Sequence, residues 1–190
     1  MKNTKKIMLI SSAAALFLGA LAGMLYMAFS GTDDGLYSYL SQFLTGFPAA
    51  ENRFSVFKNS LADNFKIAAV LTACGFFKFG IIGTLACCAI KGFVSGFTTA
   101  AFVRYYSLRG LLVPLSSLMS TILFIPVFIL FSACSASFSL KKNEKNSVGS
   151  YLLLSLIFLT IFCVISFMDG YVTTTFMKLL KPFIVNNQQF

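Results

Sequence analysis

Lys91 is the residue of this chain whose position most suggests chemistry. It lies inside an apolar run, Ile67–Val103, in which Lys78 is the one other charge. A lysine at the centre of a membrane-spanning helix costs about 2.5–3.5 kcal/mol on insertion scales. This cost favours a role for Lys91 in a buried ion pair, with Asp63 or Asp169 as the acid, or in contact with a partner helix. The alternative is a lysine whose charged end extends to headgroups or water.

Glycines with the spacing of helix-packing motifs surround Lys91. Gly92 and Gly96 form a GxxxG pair, which lets two helix backbones approach closely. Gly80 and Gly83 lie upstream on the same apolar run. The pattern predicts tight packing, for which a neighbouring helix of the same chain is preferred over a helix of a partner.

The residues that most enzyme classes need are missing. The chain contains no histidine, so the usual general base and the commonest metal ligand are both absent. The five cysteines lie inside apolar segments without CxxC spacing, where thiols behave as small apolar groups. No phosphate-binding GxxxxGK[ST] motif is present. We therefore expect no catalytic residue, no cofactor and no metal site.

The composition predicts an all-α, polytopic membrane protein. Apolar residues make up 57% of the 190 residues and charged residues only 11%, whereas a soluble domain carries roughly 25% charged residues. The net charge of +9 comes from basic residues scattered at the ends of apolar runs. This distribution is typical of topology determinants and argues against nucleic-acid binding.

Apolar periodicity and charge predict a compact bundle of about five transmembrane helices in one membrane domain. The helical hairpin in the centre is expected to turn near residues 77–80. Lys2, Lys5 and Lys6 are expected to hold the N-terminus in the cytoplasm. Five spans would then place the C-terminal tail outside, but Lys178 and Lys181 in the tail argue against that side, which therefore stays open. The predicted spans are approximately 7–30, 62–77, 80–103, 115–140 and 149–168, with an outer loop over 31–61 and an interfacial tail over 171–190.

The outer loop contains apolar residues at helical spacing from Leu36 to Phe47, and Pro48 follows them. The spacing predicts an amphipathic helix. Two placements stay open: a helix that lies on the outer membrane surface, and a short connector that packs on the bundle.

Several blocks of the chain resemble the stage II sporulation protein M family. The most specific is Lys-Gly-Phe-Val-Ser-Gly-Phe-Thr at 91–98, and the resemblance extends over about residues 7–181. Departures occur at 119–121, where the family usually shows a Pro-Gln-Asn-like step, and at Asp169 and 173–175, where it tends to show a glutamate and a proline. The other blocks are Tyr39–Phe43, Ser60–Lys66, Gly80–Gly83, Arg109–Leu112, Pro126 and Ser132–Leu140.

The resemblance implies a five-span, non-enzymatic membrane scaffold for engulfment of the forespore. Such a protein would anchor peptidoglycan hydrolases resembling stage II sporulation proteins D and P at the sporulation septum, in the bacterial cell membrane. Because these hydrolases work outside, we expect part of the docking surface in the outer loop, with Arg104, Arg109 and the tail as further contributors. The candidate residues are Asp33, Asp34, Tyr39, Phe43 and Arg53.

Other function classes stay open beside the scaffold. One is a permease-like subunit of a small-solute transporter that works with a separate ATPase, in which Lys91 would be the residue of interest. Another is an intramembrane enzyme, which the missing catalytic residues disfavour. Self-association of the chain in the bilayer is a further open question.

Overall fold

A computed structural model describes residues 2–30, 35–42, 53–77, 79–116, 118–140, 147–176 and 178–179. All regular elements in these ranges are helices, which confirms the predicted all-α fold. The helices are α1 (Lys2–Phe29), α2 (35–42), α3 (Arg53–Phe76), α4 (Gly80–Gly110), α5 (Leu112–Ser116), α6 (Leu118–Leu140) and α7 (Ser147–Met168). A π-helical turn, Asp169–Thr173, continues α7.

Four helices among the described residues are long and apolar enough to cross a membrane. They cover Lys6–Phe29 in α1, Gly80–Ser107 in α4, Ser120–Leu140 in α6, and Val148–Phe176 in α7 with its π-helical continuation. The chain is therefore a polytopic helical membrane protein, as predicted. α3 does not reach the same hydropathy because its sequence carries Arg53, Lys58, Asp63 and Lys66, and its crossing stays a prediction.

α1 and α4 lie side by side and run in the same direction. Gly19 of α1 packs on Ala89 of α4. One turn further along both helices, Gly23 packs on Phe93. We call the end of the bundle where both helices begin the N-terminal end, and the opposite end the distal end.

α3 lies beside α7 and runs in the opposite direction. The Thr72 and Ser155 hydroxyls share a hydrogen bond of 2.7 Å, and the Asn64 side-chain amide donates to the Ser166 hydroxyl at 2.9 Å. With its 24 residues, α3 is about 36 Å long at 1.5 Å per residue. α3 therefore has the length and the neighbours of a span, although its composition is more polar than that of the other four.

The last part of the outer loop predicted over 31–61 is helical, because α3 already begins at Arg53. Contacts with the end of α7 keep this first part helical. The Phe57 ring lies 6.3 Å from the Phe167 ring, and the Ser60 hydroxyl donates to the Asp169 carboxylate at 2.7 Å. These contacts join residues more than 100 positions apart, so local sequence does not show them.

The central hairpin turns where the sequence predicts. α3 ends at Phe76 and α4 begins at Gly80, with the Gly80 amide donating to the Phe77 carbonyl at 3.0 Å. α4 extends beyond the predicted boundary at 103 to Gly110, with a kink at Ser107, whose φ is 55°. The span predicted over 115–140 is divided between α5 and α6, and Pro126 lies inside α6.

Candidate functional site: the α1–α4 pair and the distal end

Four glycines allow the backbones of α1 and α4 to pack in close contact. A Cβ atom on Gly92 would lie 2.0 Å from the Leu16 carbonyl oxygen, and one on Gly96 would lie 2.1 Å from that of Ala20. In the reverse direction, a Cβ atom on Gly19 of α1 would lie 2.1 Å from the Ala89 carbonyl oxygen of α4, and one on Gly23 would lie 2.2 Å from that of Phe93. No side-chain carbon fits at these distances. The predicted GxxxG pair thus packs within the chain, which was the preferred alternative.

The remaining two candidate glycines pack inside the hairpin. A Cβ atom on Gly80 would lie 1.6 Å from the Cys74 carbonyl oxygen, and one on Gly83 would lie 2.8 Å from the Cys74 sulfur. Both positions therefore bring α4 against the last turns of α3. In this structure all four candidate glycines of α4 make close contacts within their own chain.

Lys91 is half-buried beside an aromatic ring of α6. Its Nζ atom lies 5.0 Å from the centroid of the Phe124 ring, a cation–π geometry. Within the described part of the chain, no carboxylate lies within 4.0 Å of Lys91. Asp63 instead pairs with Lys66, and Asp169 accepts from Ser60, so both acids considered for an ion pair have other partners. Sequence spacing offers no signal for Phe124, which lies 33 positions away on a different helix.

Buried hydroxyl groups connect α6 to three other helices, a role that is not among the sequence-based predictions. The Ser132 hydroxyl donates to the Ser12 hydroxyl of α1 at 2.9 Å and lies 3.0 Å from the Cys88 sulfur of α4. The Ser135 hydroxyl donates to the Leu71 carbonyl of α3 at 2.6 Å. Small hydroxyl side chains of this kind allow close helix approach and hydrogen bonding across it. The repeated serines within Ser132–Leu140 are the sequence feature that could have indicated these hydrogen bonds.

At the distal end, α2 packs on the bundle. Leu40 is buried among Met27, Phe102 and Val113, and the Tyr37 ring lies 5.7 Å from that of Tyr105. Of the two placements considered for the predicted amphipathic helix, the structure therefore shows the connector packed on the bundle. α2 ends at residue 42 in the described part of the chain.

Arg104 joins the distal ends of α1 and α4. Its guanidinium donates to the carbonyl oxygens of Met27 and Ser30, at the end of α1 where helix carbonyls lack intrahelical partners. A cation is also favoured there by the helix dipole. Arg104, which we expected to contribute to docking, thus ties the end of α1 to α4. The side chain of Arg109 lies outside the described part of the structure.

The predicted docking residues are only partly within the described part of the chain. Asp33, Asp34 and Phe43 lie outside it. Tyr39 projects from α2 with 67% of its surface exposed, and Arg53 is exposed at the first residue of α3. α2 and the start of α3 both belong to the distal end, so these two side chains are accessible there.

The polar side chains of this site mainly hold helices together. Among the residues that the structure describes, no group of three or more Cys, Asp or Glu side chains is arranged to hold a metal ion. Most of the polar side chains in the site are hydroxyls, and most of them bond to backbone carbonyls or to each other. The site as described can hold helices together and present the side chains of its distal end.

Comparison with known proteins identifies a family. A search of curated proteins and a search of solved structures find no match to the chain. The sequence model described as Stage II sporulation protein M matches residues 12–174, which include both glycine pairs of the α1–α4 contact, Lys91 and the serines of α6. The chain therefore belongs to the stage II sporulation protein M family, and it is a sporulation-related membrane protein.

Proposed function

We propose that the protein is a non-enzymatic membrane scaffold that anchors peptidoglycan hydrolases at the sporulation septum during engulfment of the forespore. The observation that carries the proposal is the distal end: a helix end held by Arg104, covered by α2 and presenting exposed side chains beside it. A surface of this kind can bind a partner.

The charge distribution supports an outward-facing distal end. In the sequence, the segments that precede or join the helices at the N-terminal end carry seven lysines and one acid, whereas those at the distal end, with the first turns of α3 and the tail, carry six basic and four acidic residues. Positive charge concentrates on the cytoplasmic side of membrane proteins. The N-terminal end is then cytoplasmic, and the distal end faces the peptidoglycan. The lysines are Lys2, Lys5, Lys6, Lys78, Lys141, Lys142 and Lys145, and the acid is Glu144.

The proposed partners are hydrolases resembling stage II sporulation proteins D and P. We place their docking surface on Asp33, Asp34, Tyr39, Phe43 and Arg53. Tyr39 and Arg53 support this placement because both are exposed at the distal end. An aromatic ring and a guanidinium are the side chains most enriched among residues that dominate binding energy.

Affinity purification from sporulating cells in mild detergent tests the proposal. The tagged parent chain is expected to recover both hydrolases, as identified by mass spectrometry. A Tyr39→Ala/Arg53→Glu variant is expected to lose at least one of them. Leu153→Ala, at an exposed apolar position of α7 far from the distal end, is the matched control and is expected to recover both.

Two results would count against the scaffold role. Equal recovery of both hydrolases by the Tyr39→Ala/Arg53→Glu variant would remove the docking surface from the proposal. Recovery of an ATPase in place of the hydrolases would favour the permease-like subunit. Lys91, half-buried in an apolar helix, would then be the residue to study in a transport assay.

A further inference from the structure

A groove opens between α1 and α4 near the distal end. Its volume is about 430 Å³, within the range of about 300–1,000 Å³ that is typical of small-molecule sites. The Thr99 hydroxyl in its wall donates to the Ser95 carbonyl of its own helix at 2.9 Å, so the surface of the groove is apolar except at Arg104. The walls are Met24, Met27 and Ala28 of α1 and Thr99, Ala100 and Val103 of α4.

The groove begins at the membrane boundary and extends toward the bilayer centre. The apolar segment of α1 ends at Phe29. Arg104 donates to the carbonyl oxygens of Met27 and Ser30, on the last turn of that segment and just beyond it. Met24 lies three residues before Met27, about 4.5 Å nearer the bilayer centre. The guanidinium is therefore at the depth of the lipid headgroups, and the apolar walls are at the depth of the hydrocarbon.

The Arg104 guanidinium has donors left for a ligand. Both of its hydrogen bonds use Nη1, whereas Nε and Nη2 carry three of the five N–H groups. The residues that the structure describes provide no partner for these three, and the side chain is exposed. Two parallel N–H donors of a guanidinium match two oxygens of a phosphate. The free edge of Arg104 can therefore hold a phosphate group at the mouth of the groove.

We propose that the groove binds an anionic glycerophospholipid, with its phosphate on Arg104 and the first part of one acyl chain between α1 and α4. In such a lipid the phosphate is joined through glycerol to the acyl chains. This order matches the guanidinium at the boundary and the apolar walls below it. Basic pockets between transmembrane helices bind lipid headgroups in the same way. The inference depends neither on the proposed hydrolase scaffold nor on which side of the membrane the distal end faces.

Shape and charge favour a lipid over a helix of a partner protein. A helix is about 10–12 Å wide with its side chains and packs along several turns. The walls of this groove extend over little more than one turn of each helix, at 24–28 and 99–103. A partner would also have to bring an acid to the membrane boundary, where phospholipids already place a phosphate. An anionic headgroup is preferred over a zwitterionic one, because the ammonium of the latter would repel the guanidinium.

Photocrosslinking of the full chain in lipid vesicles tests the proposal. The vesicles consist of phosphatidylcholine with a small fraction of phosphatidylglycerol that carries a diazirine on one acyl chain, close to the glycerol. We expect irradiation to label residues 24–28 and 99–104, as mapped by mass spectrometry, and excess unlabelled phosphatidylglycerol to abolish the label. Phe167 of α7 is 50% exposed toward the same end of the bundle. Equal labelling at Phe167 would show only the lipid that surrounds any membrane protein and would overturn the proposal.

Two substitutions with matched controls locate the ligand. Ala28→Phe fills the groove from an exposed position and leaves Arg104 in place, so it should abolish labelling of the groove. Ala14→Phe, at an exposed position of α1 about 21 Å away along the axis, should not.

Arg104→Gln should reduce the labelling at least about tenfold, the factor that corresponds to a lost charged hydrogen bond. Arg53→Gln, which removes an exposed arginine outside the groove, should leave it unchanged. Full labelling of either Ala28→Phe or Arg104→Gln contradicts the site.

Thermal unfolding in mild detergent distinguishes a lipid from a free phosphate. Phosphatidylglycerol should raise the Tm of the parent chain, because a ligand that binds the folded state stabilises it, and should leave the Tm of Ala28→Phe unchanged. Glycerol phosphate has the same phosphate without acyl chains and should have no effect. Each variant is compared with its own Tm without lipid, so a less stable variant still gives a result. An equal rise with glycerol phosphate, or no rise with phosphatidylglycerol, would overturn the proposal.

Discussion

Replacing Gly96 with alanine tests the glycine contact between α1 and α4 most directly. The new Cβ atom would lie 2.1 Å from the Ala20 carbonyl oxygen and 2.9 Å from the Ala20 Cα. Both atoms belong to backbone, so relief requires that the two helices separate by about an ångström. A gap of 0.5–1 Å already removes about a quarter to a half of the dispersion attraction of the atoms that line it.

The expected cost of Gly96→Ala is the overpacking cost less the gain in helix propensity. Overpacking a well-packed core costs about 1–3 kcal/mol, and alanine is favoured over glycine in a helix by about 0.8–1.0 kcal/mol. The net destabilisation should be up to about 2 kcal/mol, which corresponds to a fall in Tm of about 2–4 °C per kcal/mol for a chain of this size. Thermal unfolding of the purified chain in detergent, followed by circular dichroism, measures it.

Gly149→Ala is the matched control for this prediction. Gly149 lies in α7, and a Cβ atom there would meet nothing within 4 Å. This variant keeps the propensity gain without the clash and should be as stable as the parent or up to about 1 kcal/mol more stable. If Gly96→Ala unfolds at the same temperature as Gly149→Ala, the close contact between α1 and α4 does not exist.

Three further substitutions probe the site. Arg104→Gln should lower stability by about 1.5–3 kcal/mol, because the end of α1 loses its charged hydrogen-bond donor. A Tm equal to that of the parent in the same thermal assay would show that the Arg104 hydrogen bonds to Met27 and Ser30 do not stabilise the fold. Lys91→Met should be at least as stable as the parent. The insertion cost of about 2.5–3.5 kcal/mol for a lysine is larger than the stabilisation of about 2 kcal/mol from a cation–π contact with Phe124. A lower Tm would show that Lys91 has a partner stronger than the Phe124 ring. Ser107→Gly should raise stability by about 1–3 kcal/mol, because the Ser107 backbone, with φ 55° and ψ −151°, lies in a region that favours glycine. A lower Tm would contradict this backbone conformation at the kink of α4.

The sequence determines the helical elements because they depend on local composition. Uninterrupted apolar runs predict α1, α6 and α7, and the short interruption at Lys78 predicts the hairpin between α3 and α4. The all-α fold and the membrane as solvent follow from the same pattern, since each residue contributes its own transfer free energy to the segment that contains it. The GxxxG spacing similarly predicts that Gly92 and Gly96 are approached closely.

Which atoms approach Gly92 and Gly96 depends on tertiary structure. Gly92 and Gly96 face α1 across more than 70 positions of sequence, the Lys91 ammonium faces Phe124, and Arg104 reaches the end of α1. The first turns of α3 were predicted as loop because their composition is polar, yet Phe57 and Ser60 form part of a helix packed on α7. Local composition sets how strongly each segment prefers lipid or water. Its partners are set by the simultaneous packing of several helices, which no single segment of the sequence contains.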